Sequence, residues 1–267
     1  MLTDIDGIRL NVLDEGTGHP VLFLHGLGGS WRDWEPQLDS FSGQFRVIVP
    51  EHRGHGRSDR PLGRYSMARF AADMDMLCRT LEIDHCYVVG LSMGGMIAQH
   101  LALARPDLVD ALVLADTTGS VDSSTGELLR GAVGGIRQNG MAIVQILAES
   151  SMGDASSAVG MRPDLIRNNL RESSGNDPYA YANALWALTE HDLTGQLAML
   201  RAPTLVLRGE HDPLVGEEGA VALAEAIPGA QLVTVAAAGH LVNLDQPDEF
   251  DRLVKEFFTR HPCPGHR

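Results

Sequence analysis

A serine at position 92 stands in a pattern that could make it a nucleophile. The stretch YVVGLSMGG at 87–95 runs from a β-branched apolar segment into G-x-S-x-G, and an apolar helical pattern follows. A serine held in such a strand–turn–helix can project its hydroxyl clear of a sheet, while Gly90 and Gly94 let strand and helix approach closely. The free N–H groups at the start of the helix would face developing negative charge. The pattern therefore predicts that Ser92 attacks an electrophilic carbon.

A histidine and an aspartate further along the chain could activate that serine. A hydroxyl is a weak nucleophile at neutral pH and needs a base, and the base needs a carboxylate to hold its tautomer. His240 follows a glycine in AAAGHLVNLDQP at 236–247, and Asp212 follows Gly209 in PTLVLRGEHDP at 203–213. The order Ser92, Asp212, His240 is the order in which such a triad follows successive strands. The sequence therefore predicts nucleophile, acid and base in that order.

Two other residues compete for these roles. Asp116 comes just after the strand pattern that ends at Leu114, and it could replace Asp212 as the acid. Asp212 is favoured because Pro213 restricts the backbone of the residue before it, and Asp116 is interpreted as a local turn or helix-cap acceptor. His25 could be mistaken for the base, but it precedes a glycine-rich turn and is expected to pack beneath it.

That glycine-rich turn predicts an oxyanion hole. The stretch VLFLHGLGG at 21–29 runs from a strand pattern into His25-Gly26-Leu27-Gly28. Two backbone N–H groups fixed near a developing oxyanion typically matter by about 10²–10³ in rate each. The positions after the nucleophile and in this loop assign those donors to Met93 and Leu27.

Alternating strand and helix patterns must position these residues. Apolar β-branched runs such as VLFL, RVIV and TLVL are nearly continuous, which is typical of strands buried on both faces of a parallel sheet. Alternation with helices predicts a doubly wound sheet of about eight strands in the α/β class. The predicted strands are Ile8–Leu13, Val21–Leu24, Val47–Pro50, Cys86–Leu91, Leu108–Leu114, Thr204–Arg208 and Leu232–Val235. The helices predicted between them are Trp31–Phe41, Met67–Leu81, Met93–Ala104, Glu217–Ile227 and Gln246–Arg260.

The segment 119–196 breaks the alternation. It contains no strand run and favours four short amphipathic helices. We therefore expect a core of residues 1–118 and 197–267, with 119–196 inserted between two strands as a helical lid; Trp186 is a candidate wall of the substrate pocket. The four lid helices are predicted at Ser123–Asn139, Met141–Ser150, Pro163–Glu172 and Pro178–Thr189.

Composition limits the partners. The 267 residues are 44 % apolar and 21 % charged with a formal net charge of −14, which favours a folded protein that binds neither nucleic acid nor an anionic membrane. The three cysteines have no metal-ligand or redox spacing and suit a reducing compartment. The first residues lack the apolar core of a signal peptide. A cytoplasmic enzyme is expected.

Several stretches together resemble the α/β-hydrolase superfamily, and more narrowly the 3-oxoadipate enol-lactonase branch and related small esterases. Two features depart from those relatives: Glu51 stands where they carry Asp, and their Arg–Trp lid pair is not matched in MAIVQILAES at 141–150. The stretches that carry the resemblance are HGLGGSWRDWEPQL at 25–38, RVIVPEHRGHGRSDRP at 46–61, YSMARFAADMDMLCRTLEI at 65–83, GLSMGGMIAQHLALARPDLVDALVLADT at 90–117 and APTLVLRGEHDP at 202–213.

The resemblance implies a serine hydrolase that cleaves a small carboxylic ester or lactone through an acyl-enzyme and needs no cofactor or metal. An enol-lactone is one candidate substrate. Dehalogenases and epoxide hydrolases of this fold use an aspartate nucleophile, so Ser92 argues against both. Three alternatives stay open: a C–C bond hydrolase of ring-cleavage products, a cofactor-free perhydrolase, whose relatives usually carry Trp where Leu27 stands, and a non-catalytic ligand receptor.

Overall fold

One eight-stranded sheet organises the computed structural model, which describes residues 1–142, 144 and 175–263. The strand order is β1-β2-β4-β3-β5-β6-β7-β8; β2 pairs antiparallel with β1 and β4, and the remaining neighbours are parallel. The predicted fold class is confirmed. The strands are β1 (Leu2–Asp4), β2 (Arg9–Glu15), β3 (His19–Leu24), β4 (Phe45–Pro50), β5 (Cys86–Leu91), β6 (Val109–Ala115), β7 (Thr204–Gly209) and β8 (Gln231–Val235).

Helices cover both faces of the sheet, as the continuous apolar strands require. Short 3₁₀ turns, Trp31–Trp34 and Leu197–Met199, precede α1 and β7. In the described ranges the helices are α1 (Glu35–Phe41), α2 (Met67–Thr80), α3 (Met93–Ala104), α4 (Ser123–Asn139), α5 (Pro178–Thr189), α6 (Gly216–Ala226), α7 (Val242–Asp245) and α8 (Pro247–Arg260). None of these helices is long and apolar enough to cross a membrane.

Alternate residues of strands β3 to β7 enter two separate cores. In β3, Leu22 and Leu24 pack into the core beneath α2 and α3, while Val21 and Phe23 pack into the core beneath α1 and α8. This two-sided burial removes nearly every apolar strand residue from water, at about 25 cal/mol per Å² of apolar surface. The parallel strands therefore form a rigid sheet whose carboxyl ends can hold side chains in fixed positions.

The predicted elements match the structure except in detail. Strand β5 and helices α3, α4 and α5 have the predicted bounds, and most other predicted elements shift by one or two residues. The predicted helix Trp31–Phe41 differs more, because its first four residues form the 3₁₀ turn and α1 begins only at Glu35. Strand β1 was not predicted, since three residues are too few for a readable period. The predicted helix Pro163–Glu172 lies outside the described residues, as does Met141–Ser150 except for residues 141, 142 and 144.

The chain leaves and re-enters the core at neighbouring points after β6. Leu193 N donates to Gly119 O at 2.9 Å, Val121 N donates to His191 O at 3.0 Å, and position 120 bridges antiparallel to position 192. Between these points α4 packs against α5. The proposed 119–196 lid therefore starts and ends at one junction.

Candidate active site

Ser92 lies at the turn between β5 and α3 in a backbone conformation that serine rarely adopts. Its φ is +53° and its ψ is −118°, and holding a non-glycine residue there costs on the order of 1–3 kcal/mol. Hydrogen bonds hold the strained turn: Ser92 N donates to Ala115 O at 2.9 Å, and Thr117 Oγ1 donates to Ser92 O at 2.7 Å. The turn points the hydroxyl out of the sheet, as the sequence pattern predicts.

The flanking glycines are needed for close approach. A Cβ on Gly90 would collide with the carbonyl of Gly94, and a Cβ on Gly94 would collide with the carbonyl of Leu24. A larger residue at either position would therefore move α3 away from β5 and β3. The spacing of G-x-S-x-G follows from this contact.

Ser92, His240 and Asp212 form one continuous chain of hydrogen bonds. His240 Nε2 lies 3.0 Å from Ser92 Oγ, and His240 Nδ1 lies 3.0 Å from both carboxylate oxygens of Asp212. The Asp212 side chain is 1 % exposed and that of His240 is 19 % exposed. Asp212 Oδ1 also accepts from Leu214 N at 2.8 Å. The structure thus brings together the three residues that the sequence order predicts, with a geometry suited to passing a proton from Ser92 to His240.

The electrostatics of this chain favour a base that takes up a proton. Burial alone would lower the pKa of His240, but the hydrogen bond and charge of Asp212, with further charge from Asp116 and Asp245, raise that pKa above its ordinary value. Burial opposes ionisation of Asp212, yet its bonds to His240 and to the backbone lower the pKa of this carboxyl. The pair therefore stabilises an imidazolium, as a general base requires.

The predicted oxyanion loop lies directly against Ser92. A Cβ on Gly26 would stand 3.9 Å from Ser92 Oγ. None of the hydrogen bonds found among the described residues uses the Leu27 N–H or the Met93 N–H. Met93 is fully buried at the first position of α3, whose unpaired N–H groups begin there. Both N–H groups are thus available to an incoming oxygen.

His25 is buried beneath this loop beside His52 and His55, so it lies where the sequence places it. His25 Nε2 accepts from His52 N at 3.1 Å, which leaves the proton on Nδ1 to donate to Gly26 O at 2.7 Å. The ring centroids of His52 and His55 lie 4.2 and 5.2 Å from that of His25. Burial lowers the pKa of His25 well below its ordinary value, that of His52 to about 3 and that of His55 to about 4. These neutral rings support the loop.

Asp116 bonds across the site and not within its own turn, so the expectation of a local turn acceptor is wrong. Its carboxylate accepts from Gly209 N at 2.8 Å and from Val242 N at 3.0 Å. The residue is 1 % exposed, and burial, as the largest cause, raises the pKa of its carboxyl to about 7. Its oxygens serve the backbone, whereas Asp212 holds His240. The two partners lie 93 and 126 positions away in the chain, which no local pattern could indicate.

A cavity of about 300 Å³ opens above Ser92 and is lined largely by aliphatic side chains. Helix α5 contributes Tyr181, Leu185 and Leu188, one face of the helix at spacings of four and three residues. Trp186, predicted as a pocket wall, is not among the lining residues of the described chain; it packs against the α4–α5 cluster instead. One position along a helix turns the side chain by about 100°. The described lining residues are Gly26, Leu27, Asp33, Leu91, Ser92, Leu129, Val144, Tyr181, Leu185, Leu188, Leu214, His240 and Leu241.

The described part of the chain contains no cluster of metal-binding side chains. No group of three or more His, Cys, Asp or Glu residues there could hold a metal ion. The three described cysteines, Cys78, Cys86 and Cys263, are unpaired.

Comparisons with known proteins agree with the fold described above. A family model described as alpha/beta hydrolase fold matches residues 19–247. A protein of Serratia proteamaculans named as a candidate carbamate hydrolase, RutD, is 30 % identical over 243 residues, covering 88 % of this chain and 89 % of its own. The resemblance inferred from sequence motifs is thereby confirmed.

Two solved structures show how closely the whole fold is shared. A thermophilic esterase from Thermogutta terrifontis, crystallised with malate, superposes with a TM-score of 0.88 at 31 % identity, covering 98 % of this chain and 97 % of its own. The enol-lactonase from Burkholderia xenovorans superposes with a TM-score of 0.87 at 26 % identity, covering 97 % and 100 %. Relatives with esterase and lactonase activity thus share this architecture from end to end.

Proposed function

This chain belongs to the alpha/beta hydrolase fold family and is an enzyme of the hydrolase class, and on that premise we propose that it cleaves a small carboxylic ester or lactone through an acyl-enzyme. The observation that carries the proposal is the unbroken hydrogen-bonded chain from Ser92 through His240 to Asp212. Esterase and enol-lactonase relatives make an ester or lactone the favoured substrate, and an enol-lactone is one candidate.

The proposed mechanism has two symmetrical halves. Ser92 Oγ attacks the carbonyl carbon while His240 Nε2 takes the hydroxyl proton, and Asp212 stabilises the imidazolium. The carbonyl oxygen becomes an oxyanion held by the N–H groups of Leu27 and Met93. The C–O bond then breaks, and His240 returns the proton to the leaving alcohol or, for a lactone, to the freed end of the ring. Water repeats the sequence on the acyl-enzyme and releases the acid.

The cavity supports a small and mainly apolar acyl group. Its volume of about 300 Å³ and its leucine walls favour burial of a short hydrocarbon chain or a small ring. Among its described lining residues only Asp33, Ser92, Tyr181 and His240 carry a polar side chain. Tyr181 and Leu185 come from the proposed 119–196 lid. We therefore infer that Tyr181 and Leu185 of α5 determine which acyl groups fit, and that Trp186 of the same helix does not.

The test is a substrate panel with Ser92→Ala as the blank. The panel contains p-nitrophenyl esters of increasing acyl length, simple lactones, an alkyl carbamate and a dienoic ring-cleavage acid. Loss of the nucleophile should reduce kcat at least about 10³-fold, because the three residues act as a unit. Ser42→Ala, at the end of α1, changes a serine outside the cavity and is the matched control.

Acyl-enzyme formation is measured separately by mass spectrometry of the quenched protein. We expect one acyl group per chain in the wild type and none in Ser92→Ala. Retention of more than a few per cent of hydrolysis by Ser92→Ala would rule out the serine mechanism. Faster cleavage of the dienoic acid than of every ester would replace the proposal with a C–C bond hydrolase, and absence of any turnover would leave a ligand receptor.

A further inference from the structure

The residues at the carboxyl end of β6 touch the loop of the proposed nucleophile. Ala115 O accepts from Ser92 N at 2.9 Å, and Thr117 Oγ1 donates to Ser92 O at 2.7 Å. Thr117 also fills the space beside Gly95, where a Cβ would collide with its side chain. The segment 115–117 therefore holds the strained turn of Ser92 from one side.

The middle residue of this segment reaches the other two loops. Asp116 Oδ1 accepts from Gly209 N at 2.8 Å, three residues before Asp212, and Asp116 Oδ2 accepts from Val242 N at 3.0 Å, two residues after His240. One carboxylate thus joins the acid-bearing and base-bearing loops through their backbones. Asp116 itself has a φ of +45°, a strained conformation that persists only where the surroundings hold it.

We propose that Asp116 is a positioning residue that sets the separation of the Asp212 and His240 loops, and that segment 115–117 fixes all three catalytic loops relative to one another. The proposal rests on the serine mechanism proposed above. An asparagine has the same shape, but its amide would turn an N–H₂ toward one of the two backbone donors. One buried N–H would then lose its acceptor.

Asp116 also acts on His240 through its charge. The charged groups that face His240 from the elements packed around it are Asp212 after β7, Asp116 after β6 and Asp245 of α7. Asp245 Oδ2 accepts from Gly239 N at 2.8 Å, so it holds the residue before the histidine, whereas Asp116 holds Val242, two residues after it. Negative charge on Asp116 raises the pKa of His240. Because the pKa of the Asp116 carboxyl is about 7, this charge is only partly present where His240 titrates, and removing it should move the protonation of His240 to lower pH by a small amount.

The experiment compares kcat, KM and the pH profile of kcat/KM for Asp116→Asn and the wild type. We expect kcat to fall about tenfold to a hundredfold, the range that corresponds to one lost buried hydrogen bond. KM should stay nearly constant because Asp116 does not line the cavity. The acid limb of the profile should move to lower pH, an effect that a purely structural role would not produce.

Two further variants separate positioning from stability. Thr117→Val removes the hydroxyl that bonds Ser92 O without changing charge, so kcat should fall by about fivefold while the acid limb stays in place. Asp110→Asn removes a carboxylate at the opposite end of β6, where it pairs with His19 at 3.1 Å. It should lower Tm and leave kcat and the acid limb unchanged.

The results for these variants decide whether Asp116 positions the catalytic loops. Wild-type kcat with an unmoved acid limb in Asp116→Asn would overturn the proposal. If Asp116→Asn does not fold, wild-type kcat in Thr117→Val would overturn it. Ser92→Ala, assayed in parallel, distinguishes the two levels: an active Ser92→Ala contradicts the serine mechanism, whereas an inactive Ser92→Ala beside a fully active Asp116→Asn contradicts only the positioning role.

Discussion

At the scale of single residues, the buried carboxylates of Asp212 and Asp116 differ in the groups to which they hydrogen-bond. Both oxygens of Asp212 lie within hydrogen-bond distance of His240 Nδ1, and one of them also accepts from Leu214 N. The oxygens of Asp116 instead accept from the backbone N–H groups of Gly209 and Val242. The same side chain therefore orients an imidazole in one place and two loops in the other. The difference cannot be deduced from either residue's sequence neighbourhood.

This division predicts unequal effects of the same substitution. Asp212→Asn should keep the fold and reduce kcat by roughly 10⁴, because the amide favours the wrong tautomer of His240 and cannot stabilise the imidazolium. The loss should far exceed that of Asp116→Asn. Steady-state kcat with a p-nitrophenyl ester measures both, and thermal unfolding verifies that each variant is folded. The reverse ranking would make Asp116 the acid.

Local patterns could predict the triad but not the contacts that align it. Gly90 and Gly94 lie two residues on either side of Ser92, and Gly239 precedes His240, each just after a strand pattern. Both residues could therefore be singled out from short stretches of sequence. The bonds of Asp116 join residues far apart in the chain and depend on how three strand ends meet. The position of Trp186 depends on the rotation of α5, which residue type alone does not specify.

At the scale of elements, the loop that follows β3 rests on a layer of three neutral histidines. His52 Nε2 lies 3.2 Å from His25 O, and His55 Nδ1 lies 3.1 Å from Arg53 O. The second nitrogen of each of these two rings is buried with no hydrogen-bond partner among the described residues. A proton added there would be a buried charge without an acceptor, so the layer is stable only while the rings are neutral.

The layer predicts a loss of stability in weak acid. The folded-state pKa values of about 3 for His52 and about 4 for His55 lie below that of a histidine in the unfolded chain. The unfolded chain therefore binds more protons, and stability is fully present above about pH 6.5 and falls as the pH drops toward 4. Each ring should account for on the order of 2 kcal/mol between pH 7 and pH 5.

His55→Gln tests this, because glutamine can still donate to Arg53 O but does not titrate. Urea unfolding at pH 8, 7, 6 and 5 should show a smaller acid-induced loss in the variant than in the wild type, whatever the two stabilities are at pH 8. Equal losses would mean that His55 is already exposed or already charged in the folded protein.

At the scale of the whole molecule, a formal net charge of −14 surrounds an aliphatic cavity. Such a field repels anions over distances of about 30 Å at 0.01 M salt but only about 10 Å at 0.1 M. A neutral ester is indifferent to it. The molecule as a whole therefore favours uncharged substrates in dilute buffer.

The dependence of kcat/KM on salt concentration should show this repulsion. For an anionic substrate, such as a monoester of a dicarboxylic acid, kcat/KM should rise as NaCl increases from 0.01 to 0.2 M, because screening weakens the repulsion. For a neutral p-nitrophenyl ester it should stay constant over the same range. A decrease for the anionic ester would instead indicate a local cationic group at the cavity that attracts it.

The junction at which residues 119 and 193 pair side by side has a consequence for how this enzyme could have changed over evolutionary time. Because both ends of the proposed 119–196 lid meet at one antiparallel contact, the residues between them could be exchanged as one piece without changing the distance that the core must bridge. On the proposed division into core and lid, recombination at this junction would exchange the substrate preference of one relative for that of another and leave Ser92, Asp212 and His240 in place. Chimaeras joined at 119 and 193 are therefore the natural route to new activities from this chain.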